Sequence, residues 1–189
     1  HEISQMPSES GLISGRQTAP SEVIEGAVRS GSRTIAYTYT EPTIYFEYAL
    51  DIAKLARREG IRNVFVTNGF MTGETLETVA PYLDGANVDL KSFSEEFYRK
   101  HCGAHLQPVL DTLRRMKALG IWVEITTLLI PGLNDSEEEL RKIAGFIHSI
   151  GPEIPWHISR YYPRYKMNIP GPTPLESINR AMETGKAGG

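Results

Sequence analysis

Cysteine is almost absent from this chain, since Cys102 is the only one among 189 residues. A single thiol cannot form an internal disulfide. It also cannot supply by itself the several thiolates that a structural zinc site or an iron–sulfur cluster requires. The sequence therefore predicts neither a disulfide nor a metal centre built from the chain's own cysteines.

Three further absences narrow the function. No apolar run approaches the roughly 20 residues that span a bilayer, and the N-terminus lacks the charged region and hydrophobic core of a secretory leader. The net charge of −3 leaves no basic stripe of the kind that binds phosphate backbones. We therefore expect a cytoplasmic protein that binds neither a membrane nor nucleic acid.

Strands and helices alternate along the sequence. Segments rich in β-branched and aromatic residues predict five buried strands: Thr34–Tyr39, Asn63–Thr67, Ala86–Leu90, Trp122–Leu129 and Pro155–Arg160. Helices are predicted over Thr43–Glu59, from near Thr72, over Gln107–Leu119, after Ser136, and over Pro174–Gly189. This alternation predicts right-handed crossovers and an α/β fold with a parallel sheet and helices outside.

Local signals mark where several of these helices begin and end. Gly60 and Gly120 are predicted to end two helices. In the predicted helix after Ser136, Asp135 is expected to cap the first turn and Glu138 to reach back, as in a capping box. Tyr48 is expected on the apolar stripe of the helix over Thr43–Glu59.

Polar residues collect at the predicted carboxyl ends of the strands, where loops of parallel α/β folds converge. These ends read Tyr39-Thr40-Glu41-Pro42, Thr67-Asn68-Gly69, Asp89-Leu90-Lys91-Ser92 and Ile130-Pro131-Gly132-Leu133-Asn134-Asp135, and the fifth strand carries His157, Ser159 and Arg160. Each tip also has a structural explanation: a helix start at Glu41, a turn at Asn68, an ion pair between Asp89 and Lys91. Together they form a set that can hold a zwitterionic, hydroxyl-rich ligand. S-adenosylmethionine (SAM) is one such ligand, and the spacing alone does not select it.

Other residues with reactive or aromatic side chains carry weaker signals. His101, Cys102 and His105 lack an evident third or fourth metal ligand, so no metal site is predicted. Trp122, Trp156, Tyr161 and Tyr162 are expected to pack in the protein interior, with the two tyrosines also placed to line the mouth of the sheet.

Four of these segments resemble a known family. Ile35-Ala36-Tyr37-Thr38-Tyr39-Thr40-Glu41-Pro42-Thr43, Val64-Phe65-Val66-Thr67-Asn68-Gly69, Asn87-Val88-Asp89-Leu90-Lys91-Ser92-Phe93 and Ile130-Pro131-Gly132-Leu133-Asn134-Asp135 resemble radical SAM enzymes related to the pyruvate formate-lyase activating enzyme. The similarity is closest to the AmmeMemoRadiSam system radical SAM proteins. It implies a partial (β/α)6 TIM-like barrel.

The resemblance also implies cofactors. In this superfamily a Cys-x3-Cys-x2-Cys loop after the first strand holds a [4Fe-4S] cluster, which reductively cleaves SAM to start hydrogen abstraction. This sequence lacks the motif, and its opening Glu2-Ile3-Ser4-Gln5 resembles the segment just beyond the third cysteine. We therefore expect residues 1–189 to be one radical SAM core domain, truncated at both ends and inactive alone, with the cluster loop missing upstream.

Site residues follow from the resemblance position by position. Glu41 resembles the acidic residue of the family's Gly-Gly-Glu-Pro segment, which binds the SAM ammonium, although Tyr39 and Thr40 replace the glycines. Thr67, Asn68, Asp89, Lys91, Thr126, His157 and Arg160 complete the implied SAM-binding set. Thr126 stands where activating enzymes have an arginine, and Arg160 is expected to supply that cation.

The sequence leaves four hypotheses for the reaction. The leading one is a radical SAM enzyme that acts on an unknown substrate, with a protein as one candidate, and uses an electron donor such as flavodoxin or ferredoxin. An activase of a glycyl-radical enzyme ranks second. A Schiff-base aldolase with Lys91 as its nucleophile is the third hypothesis, and a non-catalytic binding module is the fourth.

Overall fold

A parallel sheet forms the centre of the molecule. The computed structural model of the chain describes residues 16–164, 167 and 171–188, so the opening segment Glu2-Ile3-Ser4-Gln5 lies outside it. The strands are β1 (Thr34–Tyr37), β2 (Arg62–Thr67), β3 (Gly85–Asp89), β4 (Trp122–Leu129) and β5 (Trp156–Arg160). All neighbouring strands are parallel, and their spatial order is their order in sequence.

Helices precede, connect and follow the strands. They are α1 (Pro20–Arg29), α2 (Phe46–Arg58), α3 (Gly73–Val79), α4 (Glu95–Phe97), α5 (Leu106–Ala118), α6 (Glu137–Ile150) and α7 (Leu175–Gly188). Short 3₁₀ turns cover Pro42–Tyr45 and Ala80–Tyr82, and a π-helical turn covers Tyr98–Cys102. The α/β class and the parallel sheet predicted from the sequence are confirmed.

The strand order places the connecting helices on one face of the sheet. Sequential parallel strands joined by right-handed crossovers keep every connection on the same side, as in a barrel. On β4, for example, Val123, Ile125, Thr127 and Leu129 are buried against that side. The opposite side, here called the open face, carries the alternate residues of the strands.

Apolar side chains between the sheet and the helices form the core. Phe65, Val88 and Ile125 come from three adjacent strands and are completely buried. Leu113 and Ile143 meet the sheet from α5 and α6. Each such side chain contributes roughly 1.5–3 kcal/mol by leaving water, so the core fixes the strands whose ends carry the polar residues.

Several predicted helix boundaries are confirmed. Thr72 caps α3 by accepting a hydrogen bond from the Thr75 backbone N–H. Gly60 and Gly120 follow α2 and α5 with φ of 70° and 76°. These left-handed conformations suit glycine because it has no Cβ.

The first strand and the second helix differ from the prediction. β1 ends at Tyr37, two residues before the predicted end at Tyr39. The predicted helix from Thr43 begins with the 3₁₀ turn and becomes α-helical only at Phe46. Tyr48 is 38% exposed instead of buried, because its hydroxyl reaches out to donate to the Thr18 carbonyl.

The predicted cap of α6 is wrong. Ser136 is the cap, and its hydroxyl accepts from the Glu139 backbone N–H. Asp135 instead accepts from the Gly132 N–H at 2.7 Å within the preceding loop. Glu138 pairs with Lys142 one turn later and does not reach back. Adjacent Asp and Ser are both good caps, so local sequence does not separate them.

Helix α1 and the helical turns after Ser94 are absent from the sequence prediction. Pro20 occupies the first turn of α1, and the Glu22 carboxylate accepts from the Ala19 N–H at 2.8 Å. Both features are sequence signals for a helix start. The polar residues before Pro20, with scattered glycine and proline, favour a loop instead.

Candidate functional site

Glu41 ties together the ends of the first two strands. It lies between β1 and the 3₁₀ turn, where its Oε1 accepts from the Thr67 hydroxyl at 2.6 Å and from Thr43 at 3.2 Å. Its Oε2 accepts from the Asn68 backbone N–H at 2.8 Å. The carboxylate therefore fixes the geometry of the β2 tip as well as the helix start.

The same carboxylate keeps capacity for a ligand. Each carboxylate oxygen offers about two acceptor sites. Oε1 also faces the Thr43 N–H at 3.4 Å and is fully used, whereas Oε2 receives one hydrogen bond, from the Asn68 N–H. One acceptor site on Oε2 thus remains for a donor such as an ammonium.

Thr67 and Asn68 have different roles in this turn. Thr67 is buried, and its hydroxyl donates to Glu41 while accepting from the Gly69 N–H at 3.1 Å. It therefore positions Glu41. Asn68 is only half-buried, and its Oδ1 accepts from the Phe70 N–H at 2.8 Å, which leaves its amide NH₂ without a partner among the described residues.

Tyr39 retains a backbone conformation typical of glycine. Its φ is 72°, the only positive value at a non-glycine residue in the described ranges. Its side chain is 76% exposed. The chain adopts this left-handed conformation without a glycine, at a cost of roughly 1–2 kcal/mol.

Asp89 and Lys91 form an ion pair at the end of β3. Lys91 Nζ lies 2.8 Å from Asp89 Oδ2, and both side chains are more than one third exposed. The structural role expected for this pair is confirmed. Because it is partly exposed, the pair adds little stability, and both groups remain accessible to a ligand.

The backbone of Lys91 is fixed from two sides. Its N–H donates to the hydroxyl of Tyr98 at 3.2 Å, and burial raises the pKa of Tyr98. Its carbonyl accepts from the side-chain amide of Asn134 at 2.7 Å. This rigid attachment sets the direction in which the Lys91 side chain leaves the strand.

Asn134 organises the gap between β3 and β4. The side chain is buried; its Nδ2 also donates to the Leu128 carbonyl at 2.9 Å, and its Oδ1 accepts from the Ile130 N–H at 2.6 Å. The sequence places Asn134 at a polar strand end without giving it a role. An asparagine four residues after an unpaired strand-end N–H is the signal that could have identified it.

Two cavities meet beside Lys91. One has a volume of about 380 Å³ and is bordered by Asn68, Phe70 and Tyr98; the other has about 210 Å³ and is bordered by Asp89 and Leu128. Lys91, His101 and Cys102 line both. Burial raises the pKa of the Cys102 thiol, so it is less ionised than a free cysteine.

The histidine–cysteine cluster shows no metal geometry. Nδ1 of His105 lies 2.5 Å from a carboxylate oxygen of Glu95, outside both cavities. Among the described residues, no group of three or more His, Cys, Asp and Glu side chains is arranged to hold a metal ion.

Thr126 and His157 pair in register with each other on the open face, and Thr126 also pairs in register with Asp89 at the end of β3. With Asn87 and Glu124 they form a set here called the second row. Thr126 Oγ1 donates to Asn87 Oδ1 at 2.7 Å, and His157 Nε2 lies 2.8 Å from Glu124 Oε2. Neither side chain joins the Glu41 and Lys91 groups in a hydrogen bond. Sequence reasoning missed Asn87 and Glu124, because they lie inside strands.

Arg160 is the predicted site residue that the structure places elsewhere. It pairs in register with buried Leu129, which faces the helices. Its Nε and Nη2 donate to the Thr173 carbonyl at 3.0 and 2.8 Å, and its guanidinium lies 5.2 Å from the centre of the Tyr162 ring. It does not reach the open face near Thr126.

The aromatic residues also divide between interior and surface. Tyr161 is buried, and Trp156 packs against the core, as predicted. Trp122 is 58% exposed on the open face, and Tyr162 is 53% exposed, so the packing expected for these two is wrong. Trp122 and Glu124 alternate with the buried residues of β4, so both lie on the side of the sheet without helices. Trp122 is exposed for this reason.

Comparison with known proteins gives consistent matches. The family model of the Radical SAM superfamily matches residues 14–144. An uncharacterised protein of Methanocaldococcus jannaschii is 42% identical over 188 residues, covering 97% of this chain and 55% of that protein. The pyruvate formate-lyase-activating enzyme of Clostridium pasteurianum is 29% identical over 122 residues, covering 65% of this chain and 50% of its own.

A solved structure shares the fold. Streptococcus suis SuiB bound to S-adenosylmethionine superposes with a TM-score of 0.72 over 91% of this chain and 41% of its own, at 15% identity. The chain spans about half the length of the curated relatives it matches.

Within the part of the chain that the structure describes, no helix is both long and apolar enough to cross a membrane.

Proposed function

The chain belongs to the Radical SAM superfamily, and from this premise we propose that the carboxyl ends of its strands hold S-adenosylmethionine. Membership implies SAM and a [4Fe-4S] cluster as the cofactors of the whole protein. The activity of that protein is, in our proposal, hydrogen abstraction from a substrate. When bound SAM is cleaved by an electron from a donor, SAM would supply the group that abstracts the hydrogen.

The polar residues at the strand ends, here called the first row, fit SAM; they are Glu41, Thr67, Asn68, Asp89 and Lys91. Glu41 offers a free acceptor site on Oε2 for the ammonium, and the amide NH₂ of Asn68 offers a donor. Asp89 Oδ1 accepts from ribose hydroxyls, and the Lys91 ammonium lies beside it to meet a carboxylate. Thr67 contributes by holding Glu41.

Three members of the predicted set are less suited to contact SAM. Thr126 and His157 are bonded to Asn87 and Glu124 in the second row, and Arg160 is bonded to Thr173 on the helix side. We therefore place SAM on the first row. The cation expected at Thr126 is then supplied by Lys91.

The chain's residues do not fit the cluster. A [4Fe-4S] cluster needs several thiolates, and the sequence has only Cys102, which is half-buried with a raised thiol pKa. Cluster ligands would have to come from outside these 189 residues.

The free acceptor site on Glu41 is the single observation that carries the proposal, and SAM titration tests it. A charge-assisted hydrogen bond contributes about 1.5–3 kcal/mol, so Glu41→Gln should weaken SAM binding roughly ten- to a hundredfold. Calorimetry on the chain at high SAM concentration measures this change. An unchanged affinity would move the SAM site away from Glu41.

Matched variants separate binding from structure. Glu41→Gln also places an amide NH₂ against a neighbouring N–H donor, so it disturbs the β2 tip as well as removing charge. Thr43→Val removes one hydrogen bond to the same carboxylate but leaves the charge, and Glu47→Gln removes an exposed charge from α2. Both controls should retain SAM affinity within about twofold.

An activase of another enzyme is the second candidate. The similarity to the Clostridium pasteurianum pyruvate formate-lyase-activating enzyme favours this candidate. This candidate requires a protein substrate and a reductant such as flavodoxin or ferredoxin.

The two candidates differ in the source of the abstracted hydrogen. Deuterium carried from a labelled partner polypeptide into the SAM-derived product would support an activase. Deuterium from a small molecule would support the first candidate. The Lys91 amine is hydrogen-bonded to Asp89. No contact in the described part of the chain therefore favours a Schiff-base aldolase.

A further inference from the structure

The second row on the open face contains two hydrogen-bonded groups. In one, Thr126 donates to Asn87 Oδ1 at 2.7 Å; the other is centred on Glu124. Trp122 Nε1 donates to Glu124 Oε1 at 3.2 Å, and His157 Nε2 lies 2.8 Å from Oε2. Two donors from neighbouring strands, Trp122 on β4 and His157 on β5, therefore converge on one carboxylate.

This convergence determines which nitrogen of His157 carries hydrogen. A hydrogen bond from His157, which has the larger effect, and one from Trp122 lower the pKa of Glu124. Glu124 therefore stays ionised and can only accept hydrogen bonds. Nε2 of His157 must then be the donor, and in the neutral ring Nδ1 is an acceptor. Nδ1 has no hydrogen-bond partner among residues 16–164, 167 and 171–188.

The open face also exposes apolar side chains. Trp122, on the same strand as Glu124, is 58% exposed, and Leu128 further along β4 is 40% exposed. Val66, which pairs in register with Asn87, is 38% exposed on the same face. A ligand that covers this surface needs an apolar body together with a hydrogen-bond donor.

We propose that Nδ1 of His157, oriented by Glu124, accepts a hydrogen bond from an O–H or N–H group on a largely apolar substrate lying against the open face. The proposal rests on the proposed function, because it names the substrate's chemistry for the same open face. It also moves His157 from the SAM set to the substrate. Glu124 is then a positioning residue that fixes the imidazole tautomer.

Phenol and anisole form a matched pair of probes. Phenol carries a ring and a hydroxyl donor, and anisole carries the ring without the donor. In the chain labelled with ¹⁵N-histidine, phenol should shift the His157 Nδ1 resonance, which His157→Gln identifies by its loss. Because one hydrogen bond is missing, anisole should bind about three- to tenfold more weakly and leave Nδ1 unshifted.

His105 is an internal control in the same spectrum. It also pairs with a glutamate, Glu95, but lies outside the open face. Phenol should not shift His105 beyond the general solvent effect. Glu124→Ala should reduce the phenol response of His157 at least threefold, whereas Glu95→Ala, which unpairs His105 in the same way, should leave it unchanged.

The outcomes decide the proposal separately from SAM binding. Equal shifts with phenol and anisole, or no shift with either, overturn the acceptor role of His157. A full phenol response in Glu124→Ala overturns the positioning role. SAM added to the same sample reports on the Glu41 row through backbone amide shifts, so absence of those shifts refutes the proposed function while leaving the phenol result to be judged alone.

Discussion

Replacing Asn134 tests whether this buried side chain holds the β3 and β4 ends in place. Asn134→Ala removes three hydrogen bonds, to Lys91, Leu128 and Ile130. At a net value of about 0.5–1.5 kcal/mol each, the loss is roughly 1.5–4.5 kcal/mol. For a chain of this length that lowers the melting temperature by about 3–18 °C, at 2–4 °C per kcal/mol.

Urea unfolding followed by circular dichroism measures the loss, and two variants sharpen it. Asn134→Asp keeps the volume but turns an oxygen toward the carbonyls of Lys91 and Leu128, so it should be at least as destabilising as alanine. Asn179→Ala, at an exposed position of α7, should change stability by less than about 0.5 kcal/mol. A loss below about 1 kcal/mol for both Asn134 variants would refute the reasoning.

Two other predictions concern the strand ends. Tyr39→Gly should stabilise the chain by up to about 1 kcal/mol in urea unfolding, because relief of the left-handed conformation exceeds the entropy cost of glycine; a clear loss of stability would mean that the Tyr39 ring makes a favourable contact. Lys91 should not be trapped by pyruvate and borohydride, because its amine is bonded to Asp89. A mass increase located at Lys91 would instead restore the aldolase hypothesis.

Features that depend on local pattern were predictable from the sequence. Segments rich in β-branched and aromatic residues located all five strands, with every strand end within two residues of the observed one. The glycines at 60 and 120 marked two helix ends because few other residues adopt their conformation. The polar strand ends were also predictable, because parallel strands bring their carboxyl ends to one edge. Glu41, Thr67 and Asn68 are accordingly found in contact.

Features that depend on distant contacts were not predictable. Glu124 and Asn87 look like ordinary strand residues, and only strand register places them beside His157 and Thr126. Arg160 is expected at the site because it is cationic and near a strand end. Arg160 pairs in register with Leu129, so it lies on the helix side of the sheet. The charge and position of a single residue do not reveal that register.

A map of where SAM binds tests the proposed site most directly. Backbone amide shifts of the ¹⁵N-labelled chain on titration with SAM should be largest at Glu41, Asn68 and Lys91, where the free acceptor, the free amide and the ammonium lie. A rival cavity of about 530 Å³ between α6 and α7 is bordered by Gly145 and Thr184. Shifts concentrated there, with the strand ends unchanged, would contradict the assignment of SAM to the strand ends.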